Sequence, residues 1–536
     1  MGIFLNSNIH YEAYKEIVSD TYFVDKSMLL SELIPALGKR TKYFCITRPR
    51  RFGKTVMAEM AGAFFGKAAD AKNLFSNLEI SGYKNYKEHL NKYNVIYIDF
   101  SKIPENSKSY KEYITRITNG IKEELSQEFP DLRPGSTNNL WDILIEIFQK
   151  TGQKFIFIID EWDAVFHMPF FTHKEHEEYL AFLRNLLKDQ VYVNLAYMTG
   201  ILPIAKYSSG SELNMFMEYN MATKERFSGY FGFSDKEVDK LFGIYQNTVE
   251  YPKITREELR FWYDGYHTAT GERLYNPRSV VCSLSDNQLG NYWTGSGPYE
   301  EIFYYIKDNI AEIRNDFVIM VSGGRVKSKI HEYAATAKKL NTKDQIYSAM
   351  VVYGLLTYEN GEVFIPNQEL MEQYNELLVS EEGFGYVNRL AKESSKMLEA
   401  TLAGDTKTME EILKYVHNTE TPVFSYNNEV ELSAIVNLVY LSARDRYNIE
   451  REDKAGKGFV DFIFYPLCRE DDGIILELKV GSTPDKAIRQ IKDKNYILRF
   501  KGKIGEKPKY TGRILAAGIS YDKKTKEHFC KIEILQ

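Results

Sequence analysis

The sequence predicts an α/β protein in three parts, and three stretches carry that reading. At 42–65 a short apolar strand runs through a Gly-Lys-Thr turn into a helix. Further on, the apolar runs 94–99 (NVIYID) and 154–160 (KFIFIID) alternate with amphipathic helical stretches near 109–128 and 139–150, the pattern of a parallel sheet covered by helices. Near the C-terminus, two strand candidates, 458–466 and 473–481, flank the polar turn LCREDD. The chain has 536 residues, enough for about three domains at roughly 100–200 residues each.

Composition narrows the class. A net charge of −5 is too mild to identify a partner. The four cysteines, Cys45, Cys282, Cys468 and Cys530, lie far apart with no C-x-x-C pair, so neither a disulfide framework nor a zinc knuckle is expected and a reducing cytoplasm fits. The opening MGIFLNSNIHYEAY has no long apolar run, and no stretch of 18 apolar residues occurs, so neither a signal peptide nor a membrane span is expected.

The first element in order is KYFCITRPRRFGKT at 42–55. Gly53, Lys54 and Thr55 reproduce the end of G-x-x-x-x-G-K-[ST], whose backbone N–H groups cradle phosphates while Lys reaches the β/γ oxygens and Thr holds Mg²⁺. The following helix, Thr55 to Phe65, turns its N-terminal dipole toward the anion. Arg48 stands where the first loop glycine belongs, and Pro49, Arg50, Arg51 and Phe52 follow, giving a stiffer, more cationic loop. Arg48 is expected to crowd the loop mouth and to compensate by contacting phosphate. A basic strand-to-helix turn without a nucleotide is the alternative. The Asp160-Glu161 pair ends the third strand, where Asp160 would hold Mg²⁺ through water and Glu161 would polarise the attacking water; carboxylates at strand ends also serve as helix caps.

The string TRPRRFGKT, preceded by YFVDKSMLL at 22–30 and followed by DFS at 99–101 and IIDEWD at 158–163, resembles the AAA-ATPase-like family of prokaryotic proteins. Its members typically join a P-loop NTPase to a C-terminal PD-(D/E)XK nuclease-like domain. The resemblance implies ATP and Mg²⁺ as ligands of residues 48–55 and Asp160, and a γ-phosphate sensor at Thr199, which ends the fourth strand, 193–198. Lys206, Lys224 and Arg226 are further cations that can approach the γ-phosphate or a neighbouring subunit of a homo-oligomer, with no choice among them.

From Phe233 the pattern turns helical, opening with Ser234 and Glu237 as a capping box. The blocks FWYDGYH (261–267), LYNPRSVV (274–281) and YWTG (292–295) read first as packing and turns, and second as functional positions for Asp264, His267 or Arg278. QIYSAMVVYGLL followed by TYENGEVFIPN predicts a helix and a hairpin turning at Asn360-Gly361, a topology similar to a winged helix that does not by itself imply DNA binding. With a break at GDT (404–406), the domains are placed at 1–232, 233–400 and 401–536.

In the last domain a helix near 429–445 should bury Leu432, Ile435, Leu438 and Val439. In 473–481, Glu477 and Lys479 share a strand face, with Asp461 on the neighbouring strand. The trio resembles a PD-(D/E)XK active site in a restriction-endonuclease-like fold. That implies Mg²⁺ or Mn²⁺ held by Asp461 and Glu477, Lys479 orienting the attacking water, and Glu431, or equally Glu429, as a further ligand. A half-buried hairpin in which Lys479 merely neutralises the two acids is the alternative. Gln490 and Tyr496 lie six apart, where related nucleases often show four. Residues 479–513 hold 11 Lys or Arg against three acids, a net +8, which suits nucleic acid, DNA ahead of RNA, or a solvated face. The leading expectation is ATP-regulated nucleic-acid cleavage, of the kind used against foreign DNA. The other is an ATP-dependent switch or scaffold that binds nucleic acid or protein without cutting.

Overall fold

The computed structural model describes residues 2–102, 109–130, 139–168, 171–204, 212–293, 313–314, 316–321, 323–330, 342–380, 382, 386–419, 429–450, 460–500 and 510–536. They form two compact units, Met1–Ile302 with Lys327–Leu370, and Phe303–Val326 with Met371–Gln536.

The first unit is built on five strands, β1 (Tyr43–Thr47), β2 (Asn94–Asp99), β3 (Phe155–Asp160), β4 (Val193–Gly200) and β5 (Met217–Tyr219), in the order β2-β3-β4-β1-β5. All are parallel. Helices cover both faces, which is why the strands read as unbroken apolar runs and not as alternating ones. Phe157, Ile159 and Met198 pack on one face against helices Tyr110–Glu128, Leu140–Thr151 and His173–Leu187. Ile156, Ile158 and Tyr197 pack on the other against helix Lys54–Phe65. Phe157 is fully buried, and its replacement by Ala should cost about 3–5 kcal/mol. β4 lies between β1 and β3, so the strand ends meet: Asp99 is opposite Asp160, Ile159 opposite Met198, and Thr47 opposite Gly200.

The capping box of Ser234 and Glu237 starts helix Asp235–Thr248. With helices Arg256–Tyr263 and Pro277–Asp286 it surrounds a core of Tyr245, Tyr263, Tyr275 and Val280. Asn360 (φ 50°) and Gly361 (φ 86°) form the expected tight turn between strands Thr357–Glu359 and Glu362–Phe364, after helix Lys343–Tyr353. The stretch 233–400 set apart on sequence grounds is shared between the two units. Residue 400 lies within helix Tyr386–Ala403, and the chain turns at Gly404 (φ 73°), inside the expected GDT break.

The second unit has a mixed sheet ordered Tyr447–Glu450, Phe462–Pro466, Gly473–Val480, Ile514–Asp522, Glu527–Ile534. Only the pair Gly473–Val480 and Ile514–Asp522 is parallel. Helix Pro484–Asp493 makes the crossover a parallel pair requires, burying Ile488 and Ile491 against Ile463, Ile475 and Ala516. Helix Glu429–Val439 buries Leu432, Ile435, Leu438 and Val439 as its spacing predicts. Among the described residues, no helix is long and apolar enough to cross a membrane.

Candidate functional sites

In the first unit, β1 ends at Thr47 and the chain loops over the C-terminal edge of the sheet into helix Lys54–Phe65. Gly53 caps that helix at φ 87°, a left-handed conformation that suits only glycine well. Lys54 is buried at 4% exposure, its Nζ donating to the carbonyls of Arg48 and Pro49 at 3.2 Å each and lying 3.7 Å from Glu161 Oε1. Asp160 is fully buried. Thr199 Oγ1 donates to its Oδ1, Tyr97 Oη to its Oδ2 at 3.4 Å, and Thr55 bonds the same carboxylate. Burial pushes the Asp160 pKa up to about 6, against the pull of the Thr199 bond, and Glu161 and Asp99 push it further. Glu161 sits beyond the strand at φ 50°.

Gly53, Lys54, Thr55 and Glu161 border a cavity of about 960 Å³. Its lining includes the charged Arg50, Arg51, Lys54, Glu161 and Arg278, the hydroxyl of Thr55, and the apolar or aromatic Phe23, Val24, Tyr230 and Phe233. The expectation for Arg48 is corrected. Its guanidinium points into the core, donating to the carbonyls of Thr47 (2.8 Å), Tyr219 (2.7 Å) and Phe227 (3.2 Å) and lying 4.9 Å over the Phe231 ring. It is 1% exposed, and burial pushes its pKa down to about 9, so it stays charged at neutral pH. A side chain this occupied neither crowds the loop mouth nor reaches phosphate. Of the loop arginines, Arg50 and Arg51 line the cavity. Arg51 itself adopts φ 67°, and burial followed by the neighbouring Arg278 and Arg50 lowers its pKa.

Other expected residues are employed elsewhere. Arg226 pairs with Glu32 at 3.1 Å and stacks over Phe227, and Lys206 lies outside the described residues. Asp264 pairs with Arg273, and His267 lies 3.4 Å from Glu359. Of the three helical-region candidates, only Arg278 lines the cavity. Sequence reasoning passed over Asp99 and Asp163, which also line it, although both stand in the quoted motifs DFS and IIDEWD. Asp99 is directed by Ser101, whose N–H and hydroxyl donate to its Oδ1 at 2.9 and 2.6 Å.

In the second unit, Asp461, immediately before strand Phe462–Pro466, comes together with Glu477 and Lys479 of strand Gly473–Val480. Asp461 Oδ2 accepts the Leu478 N–H at 2.7 Å, and Glu477 Oε1 accepts from Lys479 Nζ at 2.9 Å and from Gln490 Nε2. Glu477 is 2% exposed, and its Oε2 has no hydrogen-bond partner. Burial pushes its pKa up to about 7, Asp461 adds to the rise, and Lys479 opposes it. The six-residue spacing does not keep Gln490 from the site; Tyr496 instead starts the turn Tyr496–Phe500 and packs in the core. The side chains of Glu429 and Glu431 lie outside the described residues. So do four of the 11 cations, Lys501, Lys503, Lys507 and Lys509. Of the rest, Lys479, Lys492 and Arg513 are paired within the unit, while Lys486, Arg489 and Lys494 are exposed.

Residues 9–209 match the family model described as predicted AAA-ATPase. The chain is 25% identical over 283 residues, 52% of its length, to an uncharacterised protein in the vnfD 5' region of Azotobacter chroococcum mcd 1, and spans about half (51%) of that protein. Among solved structures it is similar to the Walker-type ATPase PABY2304 of Pyrococcus abyssi (13% identity, 65% of this chain and 94% of that one, TM-score 0.35). It is also similar to the ORC2 protein of Aeropyrum pernix in its ADPNP–ADP complexes (10% identity, 69% and 94%, TM-score 0.32).

Proposed function

We propose that the first unit binds ATP with Mg²⁺ and hydrolyses it, and that the second unit is a divalent-cation-dependent nuclease acting on nucleic acid, DNA before RNA. The ATPase reading rests on the convergence of Lys54, Thr55, Asp160, Glu161 and Thr199 at one strand edge, beside a cavity lined by both charged and apolar side chains. The match to the ATPase family model over 9–209 supports it. Phosphate would meet the N–H groups at the start of helix Lys54–Phe65, where the helix dipole is positive. Lys54 would exchange the loop carbonyls for β/γ oxygens, a charge-assisted contact stronger than the neutral ones it leaves. Its departure releases Glu161 to accept the proton of the attacking water. Thr55 and Asp160 fit a cation, since both present oxygen atoms and Asp160 is a buried acid without a cationic partner in its hydrogen bonds. Bound there, Mg²⁺ would neutralise charge developing on the transferred phosphoryl group.

The nuclease reading is supported by the orphaned, buried Glu477 Oε2 and by the nearby Asp461, whose charge adds to the rise in the Glu477 pKa. Two nearby acids in low dielectric call for a positive charge between them, and oxygen ligands suit Mg²⁺ or Mn²⁺. There the cation would stabilise charge on the scissile phosphate, while Lys479 orients the attacking water. A second reading, binding without cutting, is favoured by one observation: Lys479 Nζ already pairs with Glu477 Oε1 at 2.9 Å, as in a half-buried hairpin whose lysine only neutralises its acids. Incubating the purified chain with labelled single- and double-stranded DNA and RNA, varying ATP and Mg²⁺ or Mn²⁺ independently, separates the readings. Metal-dependent cleavage lost in Asp461→Ala supports the nuclease; retention of label without cleavage supports the binding module.

A further inference from the structure

Asp163 is 1% exposed, borders the nucleotide cavity, and has no part in holding phosphate or cation in the account above. Its Oδ2 accepts the N–H groups of Ile201 at 3.0 Å and Leu202 at 2.8 Å, the two amides that follow Thr199-Gly200. Other bonds tie the same two segments. Trp162 N–H donates to the Thr199 carbonyl at 3.0 Å, Trp162 Nε1 to the Leu202 carbonyl at 3.2 Å, and Glu161 N–H to Thr199 Oγ1 at 3.4 Å. The approach is close: a Cβ on Gly200 would stand 2.4 Å from Trp162 Cδ1 and 2.6 Å from Asp163 Oδ1, so only glycine fits.

Asp163 Oδ1 has no hydrogen-bond partner, and a buried carboxylate with one oxygen unpaired is costly to keep. A carboxylate oxygen makes stronger bonds to amides than a neutral group can. Glu161, two residues earlier, holds a left-handed conformation that its own preferences disfavour, so the turn must be fixed by its surroundings. We infer that Asp163 is a positioning residue that clamps the exit of β4 to the acid turn, holding Thr199 and Glu161 in one fixed geometry before nucleotide enters.

This assignment rests on the ATPase reading for its effect on turnover, while the clamp can be measured without nucleotide. Loss of the clamp should displace Glu161 while leaving Lys54 and the loop intact. Asp163→Ala should therefore lower kcat for ATP by about 10²-fold, the usual penalty for a misplaced catalytic group, with KM nearly unchanged. Asp163→Asn, whose amide oxygen can still accept both N–H groups, should recover most of that loss. Gly200→Ala should reproduce the Ala variant by forcing the segments apart from the other side. Hydrogen exchange on the full chain should show faster exchange at 201–202 in Asp163→Ala and Gly200→Ala, and protection near wild type in Asp163→Asn. Unchanged exchange in both clamp variants, or a lower melting temperature with kcat unchanged, would overturn the assignment. A wild-type chain that hydrolyses no ATP would refute the ATPase reading and with it the turnover effect, leaving exchange to decide the clamp.

Discussion

Each of the two sites contains a buried acid and a lysine, and they differ in what satisfies that acid. In the first unit, Asp160 is bonded by Thr199, Tyr97 and Thr55, and Lys54 is parked on two carbonyls near Glu161. In the second, Glu477 uses one oxygen for Lys479 and Gln490 and leaves the other buried and unpaired, with Asp461 nearby. Burial raises both acids, to about 6 at Asp160 and about 7 at Glu477. The first site bonds its buried acid with the protein's own donors. The second retains an electrostatic deficit that a dication would remove.

The largest expected effect separates the sites by chemistry. Asp461→Asn and Glu477→Gln should each lower metal-dependent cleavage by at least about 10²-fold while leaving ATP hydrolysis within twofold of wild type, about what loss of a hard oxygen ligand implies. Gel assays of cleavage and coupled assays of hydrolysis on the same preparations check this. Loss of both activities together would mean the acids of the second unit are structural.

Next is Arg48→Gly. It removes the donor from three core carbonyls and a ring contact, so the first unit should lose about 4 kcal/mol, somewhat offset by relief of a buried charge. ATP affinity at 25 °C should stay near wild type in whatever fraction remains folded. Urea melts combined with nucleotide titration read both quantities. An unchanged melt with weakened binding would return Arg48 to the phosphate site.

A smaller effect is expected from pH. With its native pKa raised to about 7 by burial, Glu477 binds a proton more tightly in the folded than in the unfolded chain, where it titrates near about 4.3. The folded state therefore carries more protons between those values. The second unit should lose stability as pH rises through that window, by at most about 4 kcal/mol, with the full loss reached above pH 7. Glu477→Gln should flatten the dependence, and Mn²⁺ should restore stability at pH 8 in the wild type only. Melts of the three samples at pH 5 and pH 8 test the sign.

Much of this was legible in the sequence because it depends on local pattern. Apolar runs 94–99 and 154–160 could be read as buried parallel strands, and the Gly-Lys-Thr turn between a strand and a helix located the loop. The E-x-K spacing placed Glu477 and Lys479 on one face. What was missed depends on long-range contacts. Arg48 looked like a loop residue, since nothing in its neighbourhood announces that the carbonyls of Tyr219 and Phe227, some 170 residues on, would capture it. Asp163 was hidden in the same way, its partners being the amides after a different strand. The six-residue spacing of Gln490 and Tyr496 hides that Gln490 reaches Glu477 while Tyr496 packs in the core.

The central claim is that Lys54 binds the nucleotide and Glu161 acts only in its hydrolysis. Calorimetric titration of Mg·ATP into the wild-type, Lys54→Ala and Glu161→Gln chains, with hydrolysis followed in parallel, tests it most directly. The account predicts binding by the wild type and Glu161→Gln with similar affinity, binding weakened by at least about 10²-fold in Lys54→Ala, and turnover slowed by about 10²–10⁴-fold in Glu161→Gln. Equal binding and undiminished hydrolysis by all three chains would contradict it.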